Sequence, residues 1–519
     1  MLDFNEAMKF NMLSLSEHFP RYRSPLKKEK KMEIPFTRNF SYQQWLAILI
    51  SLITIFTLLC FGYATFFDDP SFLLAKQENQ VVIMSKKTSL SNKNPDSDSC
   101  TNRYIYIHDL PSRFNYDFIK NCEDLVEGSD RLHNMCPYLE NFGFGPEVEN
   151  SEEGLSNYSS WYDTNPYSLE VIFHNRMKRY ECLTNDSSLA SAIFVPFYAG
   201  FDISRFMYGN HSETLKDSLG KDLLQWLARK REWKKMWGRD HFLVSGRIAW
   251  SYRRKFDNVS LWGSKFRFLP ESMNMTMLAT ESASWNNDIA IPYTTSFHPS
   301  EDTEILQWQH EIRWRKRPHL FTFSGAPRPG IKDSMRGKII SHCQGSKFCK
   351  FIDCSQGDNC YNTINLMKVF QRSVFCLQPQ GDSHTRKSTF DSMLAGCIPV
   401  FFHPGSAYSQ YLWHLPKNRS KYSVYVPVRD VNKWNPNMEK ILLGFPEHEV
   451  LAMREEIIKL IPRIIYRDPR SKLKIFEDTF DVAVNGMLQR IERVRKVIKK
   501  RKDPSVGFAD EDPYKFTIF

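Results

Sequence analysis

The amino-acid sequence predicts an α/β protein with two domains, each built on a parallel sheet. Short, nearly continuous apolar runs have the length of buried strands, and helix-period segments separate many of them. This alternation is typical of parallel sheets covered on both faces. A chain of 519 residues is also longer than one hydrophobic core usually organises. The predicted strands are 104–108, 192–198, 241–245, 288–293, 320–325, 375–379 and 397–402.

The segments between the strands carry the helical part of the prediction. The basic run EIRWRKRP (311–318) is a plausible linker between two α/β domains. We therefore expect an N-terminal domain over residues 100–317, a C-terminal domain over 318–500 and a polar tail over 501–519. The predicted helices are PYSLEVIFHNRMKRY (166–180), SETLKDSLGKDLLQWLARK (212–230), YNTINLMKVFQRS (361–373) and PEHEVLAMREEIIKLIPRII (446–465).

An uncharged apolar segment, residues 45–67, predicts a transmembrane helix that serves as a signal anchor. About 20 apolar residues span a bilayer, and this segment is too long and too far along the chain for an ordinary cleaved signal peptide. Cations precede it and two aspartates follow it, so residues 1–44 should stay in the cytosol. Residues 68–99 are polar and predict a flexible stem. Much of the net charge of +11 sits at the two ends of the chain, without a nucleic-acid-binding motif, so we expect no nucleic-acid partner.

Cysteines and glycosylation sequons indicate that everything after the span is lumenal or extracellular. Ten of the 11 cysteines follow the span, and an even set suits an oxidising compartment. The cluster from Cys343 to Cys360 lacks the C-x2-C spacing of a zinc knuckle, which favours disulfides over zinc. Six sequons follow the span as candidate glycosylation sites. They are Asn157, Asn185, Asn210, Asn258, Asn274 and Asn418.

The stretch QPQGDSHTRKSTFDSMLAGCIPVFF (378–402) predicts an anion site where a strand meets a helix. The strand ends at Pro379, a turn follows at Gly381, and Asp382 or Ser383 is suited to cap the helix. Ligands of open α/β sheets bind beyond such strand ends, and helix N-termini bind phosphate. Two cations in the first helical turn are unfavourable unless an anion docks there. The predicted anion-binding residues of this loop are Gln378, Gly381, Ser383 and Arg386.

Asp391 lies further along the same helix and has two interpretations. Its carboxylate is suited to accept hydrogen bonds from ribose hydroxyls, as acidic residues of dinucleotide sites do. Lys387 precedes it by four residues, so the two side chains could instead form a simple surface pair.

A second basic loop follows another predicted strand, in SGAPRPG and MRGKII between residues 324 and 340. The strand ends at Gly325, Arg328 lies in the loop, and Arg336 opens the next helix region. Two guanidinium groups can clamp a diphosphate with forked hydrogen bonds. Two strand-loop-helix units with basic loops make a stronger case for a diphosphate site than either one alone.

Competing chemistries find little support in the sequence. The Asp-x-Asp pairs, Asp96-Ser97-Asp98 and Asp510-Glu511-Asp512, lie in polar terminal stretches and not at a strand end, so we expect no catalytic metal and no cofactor. A G-x-S-x-G nucleophile elbow is missing, which argues against a serine hydrolase.

Three strand ends in the N-terminal half carry candidate general bases. YIYIHDLP supplies His108 and Asp109, PFYAGFD supplies Asp202, and TTSFHP supplies His298. A lone histidine or aspartate at a strand end is usually structural, so each remains one candidate among several.

Seven ordered blocks over residues 100–500 resemble the plant exostosin-like glycosyltransferases, most closely the xyloglucan β-galactosyltransferase branch, called the katamari group. The family usually has a tyrosine where this chain has His108, which weakens His108 as a base, whereas Asp109 matches. The blocks are RYIYIHDLPSRFN, MCPYLENFGFGP, WYDTNPYSLEVIFHNRM, IFVPFYAGFDISR, NDIAIPYTTSFHPS, LFTFSGAPRPGIKDSMRGKII and SHTRKSTFDSMLAGCIPVFFHP.

The resemblance implies a Golgi type II membrane protein with two Rossmann-like domains facing a cleft, the GT-B type. The C-terminal domain would bind the nucleotide sugar, with Arg386 matching the family's arginine near the helix start and Asp391 its helical acidic residue. The implied reaction is an inverting, metal-free transfer of β-galactose from UDP-galactose to xylosyl side chains of xyloglucan. The alternatives are a galacturonosyl or arabinosyl donor, or a non-catalytic Golgi scaffold. Expected partners are the UDP-sugar, xyloglucan, the membrane and other Golgi glycosyltransferases.

Overall fold

The computed structural model describes most of the chain after residue 97. The predicted span and both terminal tails lie outside the described residues, apart from Ser51 and Thr54, and stay predictions. Within the described part, no helix is both long and apolar enough to cross a bilayer. All elements named below belong to the compact unit Lys93–Phe519. The described residues are 98–125, 135–148, 160–207, 210–257, 261–283, 285–328, 334–355, 360, 363–428, 438–471 and 473–500.

The first sheet, in the described ranges, has five parallel strands in the spatial order β1-β2-β3-β4-β5. Its register is set by pairs such as Ile107 with Phe194 and Val244 with Leu278. Because all strands run the same way, their carboxyl ends lie along one edge. The strands are β1 Ile105–Ile107, β2 Ala192–Phe194, β3 His241–Ser245, β4 Thr276–Ala279 and β5 Asp288–Ala290.

The second sheet, also parallel, has the order β10-β9-β8-β6-β7 in the described part of the chain. The chain leaves β6 for β7 on one side and then returns to β8 on the other. The strand order therefore reverses between β6 and β8, which is where open α/β sheets bind ligands. The strands are β6 His319–Gly325, β7 Cys349–Asp353, β8 Ser373–Gln378, β9 Ile398–Phe401 and β10 Val424–Tyr425.

Helices connect most of these strands, as expected for parallel pairing. Two of them begin with reciprocal capping boxes, Glu301 with Glu304 and Asp478 with Asp481. The α-helices are α1 Tyr116–Lys120, α2 Leu169–Met177, α3 Ala199–Ser204, α4 Glu213–Ala228, α5 Arg231–Met236, α6 Pro270–Asn274, α7 Asp302–Trp314, α8 Met335–Gly345, α9 Thr363–Gln371, α10 Lys387–Leu394, α11 Met438–Leu443, α12 Glu447–Leu460 and α13 Thr479–Lys499.

The last helix, α13, shares the core of the first sheet although it follows the second sheet in sequence. Phe480 lies 4.8 Å from Phe173 of α2, measured between ring centroids. Arg490 donates to the hydroxyl of Thr276, which opens β4, at 3.1 Å. The buried cluster around β1, β2 and β3 accordingly includes several side chains of α13. The predicted limits of 100–317 and 318–500 place α13 in the C-terminal domain by its position in the chain. Its buried side chains, however, pack in the core of the first sheet.

The predicted strands correspond to β1, β2, β3, β5, β6, β8 and β9, and the four predicted helices are present with shorter ends. The proposed linker 311–318 is a loop only in part, because α7 continues to Trp314. Arg317 is anchored to the second half by donating to the carbonyls of Ser373 and Ala395, both at 2.7 Å.

The ten cysteines after the span form five disulfides, which confirms the prediction of disulfides over zinc. No group of three or more potential metal ligands occurs in the described ranges. The disulfides are Cys100–Cys182, Cys122–Cys136, Cys343–Cys349, Cys354–Cys360 and Cys376–Cys397.

Candidate active site

Arg386 lies where the order of the second sheet reverses, between the carboxyl ends of β6 and β8. Its two terminal nitrogens donate to the carbonyls of Ser324, at 2.8 Å, and Pro379, at 3.0 Å. Its Nε donates to the hydroxyl of Ser388 at 3.1 Å. A guanidinium has five N–H groups, so these contacts leave two for a ligand. The predicted site thus coincides with the position at which an α/β sheet binds its ligand.

Arg328 and Arg336 stand close enough to Arg386 to change its ionisation. Burial and, to a smaller extent, the two neighbouring guanidinium groups together lower the pKa of Arg386 to about 9. Arg336 donates to the carbonyls of Ala326 and Gln380, each at 3.3 Å. Arg328 pairs with Asp382 on the facing loop. Three crowded cations with one exposed counter-charge favour the binding of an anion such as a diphosphate.

The absence of a side chain at Gly381 leaves room for the guanidinium group of Arg336. A Cβ atom at this position would lie 3.1 Å from the Nη2 atom of Arg336. The N–H of Gly381 donates to the carbonyl of Ser383 at 3.0 Å, which closes the predicted turn.

Gln378 and Gly325 fix the ends of β8 and β6 through contacts within the protein. They therefore have less freedom than Arg386 to bind a ligand. Gln378 accepts from the hydroxyl of Ser388 at 2.7 Å and donates to the Ser388 carbonyl at 3.2 Å. A Cβ atom on Gly325 would lie 2.5 Å from the ring of Phe323, so the end of β6 requires glycine. These contacts hold β6, β8 and α10 together around Arg386.

Asp391 is buried on α10 and pairs with Lys387, at 2.8 and 2.9 Å from Nζ to the two carboxylate oxygens. The i, i+4 pair considered from the sequence is therefore present. The pair is not a simple surface feature, because Asp391 is only 5% exposed and burial raises the pKa of its carboxyl. Its role toward a ribose stays a prediction.

The start of α10 differs from the prediction. The helix begins at Lys387, and its N-cap position is Arg386, which makes no side-chain capping bond. Neither Asp382 nor Ser383 caps it. The loop is instead held by a carboxylate from the first sheet, Glu281, which the sequence analysis did not single out.

Glu281 follows β4 and is 1% exposed. Its Oε2 accepts from the backbone N–H of Thr385 at 2.8 Å and from the Thr385 hydroxyl at 2.7 Å. Ser383 and the N–H of His384 also bond to this carboxylate. Burial raises the pKa of Glu281 and these hydrogen bonds oppose the rise. The loop before α10 is therefore enclosed between the two sheets.

The three candidate bases occupy very different places. Asp109 is exposed, but it follows the outer strand β1, three strand positions or roughly 14 Å from β4. Asp202 is buried, pairs with Arg205 and lines a small cavity of about 10 Å³. Burial raises the pKa of Asp202 to about 6, against the effect of Arg205.

His298 is 1% exposed and both ring nitrogens face protein groups. Nδ1 faces the carbonyl of Tyr466, Nε2 lies 2.9 Å from the hydroxyl of Thr164, and the ring stacks on Phe144. Burial lowers the pKa of His298 to about 3. This surrounding favours a packing role over proton transfer to a substrate.

His108, the other weak candidate, is also enclosed. It is 3% exposed, and its Nε2 lies 3.1 Å from Nε2 of His241. Burial and, to a smaller extent, His241 together lower the pKa of His108 to about 3.

The sequence analysis also missed a second carboxylate, Glu170, which binds backbone N–H groups that follow β2 and β3 of the first sheet. Its Oε1 accepts from the N–H groups of Gly200, at 2.6 Å, and Gly246, at 3.3 Å. Burial raises the pKa of Glu170 to about 8. Glu170 and Glu281 each act over long sequence distances, so neither belongs to a recognisable local motif.

The predicted glycosylation sites divide by exposure. Asn185, Asn210 and Asn418 are exposed and Asn274 is partly buried, whereas Asn157 and Asn258 lie outside the described residues. Their modification stays a prediction.

Residues 99–442, more than half of the chain, match the exostosin GT47 domain. The chain therefore belongs to the exostosin GT47 family and is a glycosyltransferase. Two curated proteins of Arabidopsis thaliana are similar over most of their length. The "Probable xyloglucan galactosyltransferase GT14" is 54% identical over 86% of this chain and 87% of its own. The "Xyloglucan galactosyltransferase MUR3" is 47% identical over 87% of this chain and 72% of its own.

Two more distant similarities say less about this chain. The Arabidopsis thaliana "Xyloglucan-specific galacturonosyltransferase 1" is 38% identical over 82% of this chain and 63% of its own. Among solved structures, a chain of the GtfA/B complex aligns with a TM-score of 0.26 at 9% identity, over 54% of this chain and 61% of its own. A structural similarity at that level does not bear on the fold.

Proposed function

We propose that this protein transfers β-galactose from UDP-galactose to xylosyl side chains of xyloglucan. The similarity to two curated xyloglucan galactosyltransferases, at 54% and 47% identity over most of the chain, supports the substrate pair. The position of Arg386 where the order of the second sheet reverses supports a nucleotide-sugar site there, and this observation carries the proposal.

The donor diphosphate binds at Arg386, Arg336 and Arg328, beside Gly381. These cations take up the negative charge that develops on UDP as the glycosidic bond breaks, without a divalent metal. Asp391 accepts from the ribose hydroxyls, exchanging part of its contact with Lys387 for them.

The acceptor binds on the side of the first sheet, and its hydroxyl attacks the anomeric carbon from the face opposite UDP, which inverts the configuration. Asp109 is the exposed member of the three proposed bases and remains the candidate for taking the acceptor proton. The two sheets thereby act as the two Rossmann-like domains of a GT-B enzyme.

The membrane topology belongs to the same proposal. Residues 45–67 anchor a type II protein in the Golgi membrane and the catalytic part is lumenal. Five disulfides and three exposed sequon asparagines suit this oxidising, glycosylating compartment. Other Golgi glycosyltransferases are proposed partners.

The test is a transfer assay with the full-length protein in detergent and galactose-depleted xyloglucan. UDP-galactose, UDP-galacturonic acid and UDP-arabinose are offered separately, with and without EDTA, and products are read by mass spectrometry. The proposal expects a hexose added from UDP-galactose with equal yield in EDTA. Transfer of uronic acid or pentose alone would identify another donor, and no transfer from any donor would favour the scaffold alternative.

A further inference from the structure

Glu281 is fixed in place by contacts on both sides of it in the chain. Thr280 accepts through its carbonyl from the hydroxyl of Tyr411 at 2.9 Å. Ser282 donates through its N–H and its hydroxyl to Oε1 of Gln410, at 2.8 and 2.9 Å. Both partners belong to the segment after β9. The end of β4 is therefore tied to the second half of the molecule at two points, Tyr411 and Gln410, so the loss of one tie leaves the other and the direct contacts of Glu281 in place.

The Glu281 carboxylate completes a hydrogen-bonded chain through Thr385. The Thr385 hydroxyl has one hydrogen, which it donates to Glu281 at 2.7 Å, and it accepts from the hydroxyl of Tyr293 at 3.0 Å. The backbone N–H of Thr385 also donates to Glu281. Every donor of Thr385 is satisfied by this arrangement, and residue 385 immediately precedes Arg386.

No side chain caps the N-terminus of α10. Its first turn is oriented by the bonds between Ser388 and Gln378 and by the chain that enters it at Thr385. Arg386 binds the carbonyls at the ends of β6 and β8 only when its backbone is correctly placed. Glu281 holds the residue immediately before this backbone.

We propose that Glu281 is a positioning residue for donor binding, which acts from the first sheet by holding Thr385 and thereby directing Arg386 toward the donor diphosphate. This inference rests on the proposed nucleotide-sugar site. It links the acceptor side to the donor side through one buried carboxylate, so the donor site is complete only when the two sheets are in contact.

The experiment compares E281A and E281Q with Q410A in the full-length protein. Q410A is the matched control, because Gln410 ties the same strand end to the second half but does not touch the loop before α10. Dissociation constants for UDP alone are measured by calorimetry, and KM for UDP-galactose and for xyloglucan are measured separately.

We expect E281A to weaken UDP binding and to raise the KM for UDP-galactose by about tenfold, the factor of one lost hydrogen-bonding interaction of ordinary strength. The KM for xyloglucan should stay within about twofold, since Glu281 does not face the acceptor. E281Q keeps the side-chain shape and one acceptor atom and should lie between wild type and E281A. Q410A should leave UDP binding within about twofold.

A double variant separates positioning from a general loss of structure. If Glu281 acts through Thr385, E281A combined with T385V should weaken UDP binding no more than E281A alone when both are compared in the Y293F background, which removes the other side-chain bond of Thr385. Additive losses, or equal losses in E281A and Q410A, would overturn the inference. Should E281A fail to fold, E281Q with unchanged UDP affinity would overturn it as well.

The same measurements distinguish a failure of the proposed function from a failure of the inference about Glu281. A wild-type protein that binds UDP but transfers no galactose contradicts the substrate assignment and leaves the UDP measurements on the Glu281 variants valid. A wild-type protein that does not bind UDP contradicts the nucleotide site itself, and the inference about Glu281 falls with it.

Discussion

Arg386 joins the two strand ends at the proposed site. It bridges two strand carbonyls, contacts Ser388 and crowds two other guanidinium groups. A lysine could supply the charge but not the forked geometry. At the scale of single residues, therefore, the site depends on the shape of one guanidinium as much as on its charge.

Arg386→Ala should raise the Kd for UDP by at least about tenfold, since a charged hydrogen bond to phosphate is lost. Arg386→Lys should recover only part of the affinity. Titration calorimetry with UDP measures both. Unchanged affinity in the two variants, at unchanged thermal stability, would remove this residue from the site.

Asp391→Ala should raise the KM for UDP-galactose by roughly fivefold to tenfold, because the ribose loses an acceptor. Lys387→Ala is the matched control, since it breaks the same ion pair and leaves the carboxylate in place. Steady-state kinetics at saturating xyloglucan measure the effect. If the two variants behave alike, Asp391 serves only the ion pair.

At the scale of elements, the N-terminus of α13 combines a capping box with buried ion pairs. Asp478 is fully buried, accepts from the N–H groups of Asp481 and Arg467, and pairs with Arg176 of α2 at 3.5 Å. The start of this helix therefore fastens the last part of the chain to the first sheet.

Asp478→Ala should destabilise the fold by ~2 kcal/mol, because it removes the cap of α13 and one of the two carboxylates that pair with the buried Arg176. The control on the same helix is Glu492→Ala, which removes an exposed pair with Lys496 and should change the free energy of unfolding much less. Chemical denaturation compares the two. Equal losses of unfolding free energy in the two variants would contradict the proposed contribution of the cap and the buried ion pair.

Sequence patterns predicted the strands that have long apolar runs. They failed to predict β4, β7 and β10, whose hydrophobic pattern is short or mixed. β4, TMLA, has little β-branched character, β7, CKFID, has charged residues at two of its five positions, and β10 has only two residues. The basic residues around Arg386 were predictable because helix starts disfavour cations. Glu281 was not, because its partner Thr385 lies 104 residues away.

At the scale of the whole molecule, several buried histidines link stability to pH. Burial lowers the pKa of each to about 3, whereas an unfolded histidine titrates near ~6.5. Above that pH both states are neutral and stability is complete. Below it the unfolded chain binds protons that the folded chain cannot, so stability falls. These residues are His108, His174, His298 and His414.

The unfolding free energy should therefore decrease between pH 6.5 and 5 by ~1.4 kcal/mol per pH unit for each net proton. Burial raises the pKa of Glu170 to about 8, of Asp481 to about 7 and of Asp202 to about 6, and their effect has the opposite sign. Burial also lowers the pKa of His403 to about 4, so five histidines outnumber these three carboxyls. Denaturant titrations across this range measure the slope, and a flat or inverted profile would contradict the sign.

The return of α13 to the first sheet has a consequence for biosynthesis. Strands β1 to β5 leave the ribosome hundreds of residues before Phe480 and Met487, which fill their hydrophobic face. The early half must therefore wait, with that face uncovered, until nearly the whole polypeptide has been synthesised. A nonsense codon as late as residue 478 would leave both sheets encoded and yet deliver a chain whose uncovered apolar face makes it prone to aggregate.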